Sequence, residues 1–310
     1  MSTVEEAPDF LEVLSDGSVK RFVPGVVPAS PESINGFKSK DVIIDSSKPI
    51  TGRIFLPGNP TSLSKLPVVV YFHGGGFCIG STTWPGYHNF LGGFSVASQS
   101  IVISVDYRLA PEHRLPIAYE DCYCTLDWLG HQVSSEPWLD QADLSRVFLS
   151  GDSAGGNISH NVAVKVIRNK ISHVKISGLL LIHPYFGSER RTEKEMAEEG
   201  AGDVASIDMF WRLSIPDGSN HDYFGCNFEK TQLSATEWID EFPAVAVYVA
   251  GLDFLKERGV MYAEFLQKKG VKEVKLVEAE KESHVFHVFH PESEATRLLE
   301  RNMTEFIRSH

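Results

Sequence analysis

Residues 146–160 read RVFLSGDSAGGNISH, and the fold turns on how this stretch is understood. Val147, Phe148 and Leu149 make a short apolar strand, Gly151-Asp152-Ser153-Ala154-Gly155 fits the pattern G-x-S-x-G, and the chain from Asn157 onward is helical in character. A strand-to-helix turn this sharp makes the side chains flanking the serine collide, so glycine is needed on both sides. The serine oxygen is carried to the tip of the turn, and the N–H of Ala154 points at the same space. The helix that follows brings the positive end of its dipole. A glycine-rich turn ahead of a buried helix would carry the same five residues, so the rest of the chain must decide.

A chain of 310 residues can bury a full core, and 42% hydrophobic with 23% charged residues is an ordinary globular composition. A net charge of -12 argues against nucleic acid or an anionic membrane as partner, because both demand a positive surface. The start, MSTVEEAPDF, has neither a basic residue nor an apolar run, so it does not read as a secretory signal. No run approaches the roughly 20 apolar residues of a membrane span. Cys78, Cys122, Cys124 and Cys226 show neither metal-ligand spacing nor disulfide density, and Cys122 and Cys124 fit a helix as small hydrophobes. A cytoplasmic protein, monomer or homodimer, is the expectation.

Taken in order, residues 1–35 are peripheral, with a hairpin of Phe10–Leu14 and Val19–Val23 across Asp16-Gly17. Strands are predicted at Asp41–Asp45, Ile50–Leu56, Val68–Phe72, Ile101–Asp106, Ile176–Ile182, Val245–Ala250 and Val274–Glu280, with a polar loop ahead of Pro67. Helices are predicted over 87–99, 118–133, 258–269 and 292–308, and a loop at Pro137-Trp138. Residues 187–240 lose clear periodicity and carry scattered aromatics, as an inserted helical cap would. Strands alternating with helices mean an α/β fold, a mostly parallel sheet covered on both faces.

In such sheets chemistry gathers at the carboxyl ends of strands. Ser153, Asp253 and His284 each stand just past a predicted strand, in the order nucleophile, acid, base. Ser153 would attack a carbonyl carbon, His284 would take and return the proton, and Asp253 would hold the imidazole tautomer. Oxyanion donors are expected from Gly74 and Gly75 of His73-Gly74-Gly75-Gly76, and from Ala154. The glycine run lacks the Gly-Lys-Ser/Thr or G-x-G-x-x-G continuation of a phosphate cradle, and no cofactor is expected. His287 and His290 compete with His284 as base, and Asp240 with Asp253, but only Asp253 follows a clean apolar strand. No carboxylate at a helical offset completes a metal site with the three histidines. Asp152 can serve the backbone of neighbouring turns, and Asp106-Tyr107-Arg108 can brace the His73 loop. Glu120-Asp121 opens a helix, where carboxylates are favourable.

The His73–Gly76 run, Asp106-Tyr107-Arg108-Leu109-Ala110-Pro111-Glu112, Gly151–Asn157, Gly251-Leu252-Asp253 and His284-Val285-Phe286-His287 together resemble the plant carboxylesterases. These belong to the hormone-sensitive-lipase-like branch of the α/β-hydrolases. The resemblance covers almost the whole chain and implies the α/β-hydrolase fold in one domain, 1–310, with an eight-stranded sheet and a cap from about 1–35 and 187–240. Its members include ester hydrolases, isoflavonoid dehydratases, alkaloid cyclases and a gibberellin receptor that binds without catalysis. The receptor and some cyclases replace the histidine, and dehydratases can carry threonine for the serine; here His284 and Ser153 stand.

The expectation is therefore a serine carboxylester hydrolase working on a small, fairly apolar ester through an acyl-enzyme. The alternative is specialised metabolism, by methyl-ester hydrolysis, elimination or cyclisation on an alkaloid-like or phenolic scaffold, with a non-catalytic receptor further behind. Phe77, Trp84, Tyr185, Phe210, Trp211 and Phe224 are candidates to line the substrate pocket, with core packing as their competing role. Residues 31–37 and 217–232 depart from the family pattern, which bears on the substrate. An ordinary imidazole pKa would set the rise of activity with pH near about 6–7.

Overall fold

The structure, a computed structural model, describes residues 2–60, 65–171 and 173–310. Thr3–Ala7 (β1), Leu11–Leu14 (β2) and Val19–Arg21 (β3) form a small antiparallel sheet. The β2–β3 hairpin turns at Asp16-Gly17 with Gly17 at φ +83, as predicted, whereas the polar TVEEA of β1 gave no strand signal. Phe37–Asp45 (β4), Ile50–Pro57 (β5) and Leu66–Phe72 (β6) follow. The middle of the loop predicted ahead of Pro67, residues 61–64, lies outside the described residues.

Pro85–Ser98 (α1), Ile101–Asp106 (β7), Ile117–Gln132 (α2), Ala142–Asp152 (β8), Ala154–Asn169 (α3) and Ile176–Ile182 (β9) complete the middle of the chain. Pro137–Leu139 makes a single 3-10 turn where a loop was expected. Residues 187–240 contribute Glu193–Met196 (α4) and Ala201–Ser214 (α5) with further short turns. The sheet resumes with Ala244–Ala250 (β10), Lys256–Lys269 (α6) and Val274–Ala279 (β11), then Phe286–Phe289 (α7) and Glu294–Ser309 (α8).

The main sheet has eight strands in the order β11-β10-β9-β8-β6-β7-β5-β4. β5 is antiparallel to both neighbours and the other pairings are parallel. Alternate residues of each central strand feed two separate cores, which is why these strands read as continuous apolar runs. Val68, Val70 and Phe72 of β6 pack with α2, α3 and α6, while Val69 and Tyr71 pack with α1 and α8. A third cluster joins Leu11 and Val13 to Ile79 and to Met209 and Leu213 of α5, so the N-terminal sheet rests on α5 and the loop after β6. Arg21 reinforces this contact, donating to the carbonyls of Cys78 (2.6 Å) and Ala110 (2.8 Å) and to both oxygens of Glu112.

Two glycines separate close approach from mere exposure. A Cβ on Gly155 would fall on the Phe72 carbonyl, whereas one on Gly202, at the exposed start of α5, meets nothing within 4 Å. Gly155→Ala should therefore lower unfolding free energy by about 1–3 kcal/mol, and Gly202→Ala should raise it by about 0.4–1 kcal/mol, both read by urea denaturation.

Candidate active site

The elbow is built by collision. β8 ends at Asp152 and α3 begins at Ala154, and Ser153 between them sits at φ 52, ψ -117. This is a region that L-residues rarely adopt, and it is held by the surrounding backbone. The Ser153 N–H donates to the Ile182 carbonyl and its own carbonyl accepts from Tyr185 N–H, both at 2.9 Å. Ser153 is 7% exposed, with its side chain on a cavity of about 820 Å³.

Asp152 ties this elbow to the glycine loop. Its buried carboxylate accepts from Tyr71 Oη (2.7 Å), Tyr87 Oη (3.0 Å) and the Gly74 N–H (3.1 Å). The Gly74 N–H also points at Tyr87 Oη, 2.9 Å away. That changes one expectation: Gly74 is committed to the scaffold and is not available to an oxyanion. Gly75 and Gly76 line the cavity beside Ser153 instead, at φ +101 and +57. Among the described residues the amides of Gly75, Gly76 and Ala154 donate to no acceptor in the protein. Of the bracing role expected of 106–108, Asp106 and Tyr107 carry the part toward the His73 loop. Tyr107 Oη donates to the His73 carbonyl (2.8 Å) and stacks on its ring at 4.4 Å, and Asp106 accepts from the Thr82 N–H and hydroxyl. Arg108 makes a bidentate pair with buried Asp121, so Asp121 does more than favour a helix start.

On the other side, His284 Nδ1 lies 2.8 Å from Asp253 Oδ2, and Asp253 Oδ1 accepts from the Leu255 N–H at 2.8 Å. Burial works to lower the His284 pKa, but the Asp253 carboxylate, with Asp152 behind it, prevails and holds it above the usual value. Burial works to raise Asp253, and the facing imidazole outweighs it and brings the carboxyl down. The rival histidines do not converge here. His287 is fully buried against Phe90 with its pKa driven well down by burial, and His290 is exposed. The group that does converge is His183 with Asp253 and His284, ligand atoms within 4.8 Å of one another, and the Nδ1 atoms of both histidines are hydrogen-bonded.

The cavity wall is mostly apolar and aromatic, from Phe10, Trp84, Tyr185, Phe210, Phe254 and Phe289 with Asp203 among them, and among the described residues it carries no lysine or arginine. Trp84, Tyr185 and Phe210 were expected there. Phe77 and Trp211 were expected too, but both are buried behind the wall, Trp211 stacked on Tyr185 at 4.2 Å. Phe224 faces a different depression, beside Tyr119. Phe10 falls in the predicted hairpin, and nothing in the spacing of Phe10 or Phe289 marks either as wall.

The α/β hydrolase fold family matches residues 69–288. The probable carboxylesterase 1 of Arabidopsis thaliana is 37% identical over 96% of this chain and 94% of its own length. The chloroplastic tuliposide A-converting enzyme 1 of Tulipa gesneriana is 39% identical over 90% of this chain and 71% of its own. The chain belongs to the plant carboxylesterase family of the α/β hydrolases. Among solved structures, an esterase of Pyrobaculum calidifontis superposes with a TM-score of 0.75 at 28% identity, covering 90% of this chain and 86% of that one. Among the described residues no helix is long and apolar enough to cross a membrane.

Within this plant carboxylesterase fold, the 187–240 segment is fastened to the Asp253 loop. Lys194 Nζ of α4 donates to the Asp253 carbonyl at 2.9 Å. Arg258 and Glu195 form a buried pair at 2.6 Å. Neither fastening carried a sequence signal, since charges 59 and 63 residues apart show no pattern in one chain. Asp152→Ala would leave the Tyr71 and Tyr87 hydroxyls short of their carboxylate acceptor, at about 1–3 kcal/mol for each buried donor unsatisfied, while the Gly74 N–H keeps Tyr87 Oη. Thermal unfolding should show a large loss of stability, and Asp152→Asn, which keeps one acceptor oxygen, a smaller one.

Proposed function

We propose that this chain is a serine carboxylester hydrolase acting on a small, fairly apolar ester through an acyl-enzyme. The observation that carries the reading is the Asp253–His284 pair at 2.8 Å on the same cavity as the strained Ser153. Ser153 attacks the ester carbonyl while His284 accepts its proton, and Asp253 stabilises the imidazolium that results. The tetrahedral oxyanion is received by the amides of Gly75, Gly76 and Ala154, in a site that needs no reorganisation at the moment of reaction. His284 then returns the proton to the leaving alcohol, and water repeats the cycle on the acyl-enzyme.

The N-terminal segment and the 187–240 insertion act as the cap that sets the substrate, since Phe10 from one and Phe210 from the other face the cavity. A second reading, specialised metabolism on a bulkier phenolic or alkaloid-like ester, is favoured by the aromatic wall and by the relatives whose names record tuliposide conversion. The non-catalytic receptor reading loses its basis with both Ser153 and His284 in the cavity wall. A cytoplasmic site of action remains part of the proposal. Chloroplastic and amyloplastic in the relatives' names make the plastid its competitor, which fluorescent-fusion imaging decides.

Two outcomes are expected. Ser153→Ala should lower kcat on p-nitrophenyl acetate by about 10⁴-fold or more, and undiminished hydrolysis by that variant would remove Ser153 from the mechanism. The base must be unprotonated, and Asp253 stabilises its protonated form, so kcat/KM should climb with pH through a midpoint above 6.5. A pH–rate profile that is flat across this range would contradict His284 as base.

A further inference from the structure

We propose that His183 is a positioning residue for His284: by accepting the N–H of Val285 it fixes the backbone from which the His284 side chain departs. This rests on the hydrolase reading above, in which His284 is the base.

Val285 directly follows His284 and sits at φ 48, ψ 35. A β-branched residue is strained in this left-handed region, so something outside the local chain must hold it there. The interaction present is a hydrogen bond from Val285 N–H to His183 Nδ1, 2.9 Å long, across 102 residues of sequence. His183 is itself fixed. It follows β9 directly, is 2% exposed, and its own N–H donates to the Tyr248 carbonyl at 2.8 Å. One strand end thereby sets the geometry of the histidine loop on another.

The chemistry of the ring suits this task. Accepting at Nδ1 places the proton on Nε2 and requires a neutral imidazole. Burial pushes the His183 pKa down to about 3, so the lone pair that Val285 needs is present wherever His284 is able to work as a base. The ring lies 5.8 Å from that of His284, centroid to centroid. His183 lines no part of the cavity, so it acts through His284 and not on substrate.

Two substitutions separate this role from packing. In His183→Asn the amide oxygen takes about the place of Nδ1, while His183→Gln offers its polar atoms at the place of Nε2. The Gln variant should lose about 100-fold in kcat, the scale of a small misplacement in a catalytic group, with KM unchanged, and the Asn variant should recover most of the loss. The low-field proton resonance of the His284–Asp253 hydrogen bond should persist in Asn and vanish in Gln. Equal kcat in the two variants, at any level, would overturn the proposal. The wild-type protein supplies a test that needs no variant to fold: a through-hydrogen-bond coupling between Val285 N and His183 Nδ1 is expected, and its absence would overturn the proposal equally. A wild type that hydrolyses no ester while showing that coupling would instead refute the hydrolase reading on which the role depends.

Discussion

The rest of the molecule depends on a residue with a side chain being held where the backbone resists it. Ser153 at φ 52, ψ -117 carries strain of about 1–3 kcal/mol, and an isolated turn would relax from it. It cannot relax here because β8 and α3 meet across glycines packed against the Phe72 carbonyl, and because both backbone groups of Ser153 are hydrogen-bonded to the β9 side. The next residue back, Asp152, carries the constraint into β6 and the glycine loop through Tyr71, Tyr87 and the Gly74 amide. Ser153 and the glycine loop are thus held as one unit. A buried carboxylate that accepts three donors is favourable only while all three are in place, so this knot specifies a single arrangement of the two loops.

Asp253 and His284 are set by a second, separate group of contacts. Asp253 and His284 follow neighbouring parallel strands, and their 2.8 Å hydrogen bond joins the ends of β10 and β11. Residues 187–240 reach this group through Lys194 and the buried Arg258–Glu195 pair, and the N-terminal sheet reaches the loop after β6 through Arg21 and the cluster under α5. Breaking a buried pair by removing one partner is costly, about 3–5 kcal/mol, so the segment proposed as the cap is tied to the Asp253 loop and to the glycine loop alike.

What the sequence reveals follows from what is local. The strand runs, the Asp16-Gly17 hairpin, the elbow and the order Ser153, Asp253, His284 are all readable because each lies within a few residues of its own signal. The sequence favours His284 over His287, whose Phe286-His287 step reads as entry to the last helix, and the structure gives the physical reason, a carboxylate within reach of one and buried packing on Phe90 for the other. Gly74 was misread because its amide is taken up by Asp152, 78 residues away, and spacing along one chain does not report such a partner. Phe77 and Trp211 failed as pocket residues for the same kind of reason: an aromatic's spacing is the same on the wall and one layer behind it.

The division between legible and hidden parts is also a division of labour. The chemistry of ester cleavage needs a few atoms in fixed places, so short motifs with unforgiving geometry carry it, and those motifs can be recognised from residue type alone. The choice of ester needs only a cavity of suitable shape, and many combinations of Phe10, Trp84, Ile207, Phe210, Phe254 and Phe289 would give an apolar wall of similar size. Leu252 and Phe289 show how loosely that wall is specified: both line the cavity yet are 67% and 61% exposed, apolar groups held at its mouth without burial to fix them. Among the described residues the wall carries no lysine or arginine, which is why the proposed ester is one with neutral, fairly apolar acyl and alcohol parts. Within one fold, the catalytic atoms are therefore constrained by strain and hydrogen bonds, and the substrate by surface character.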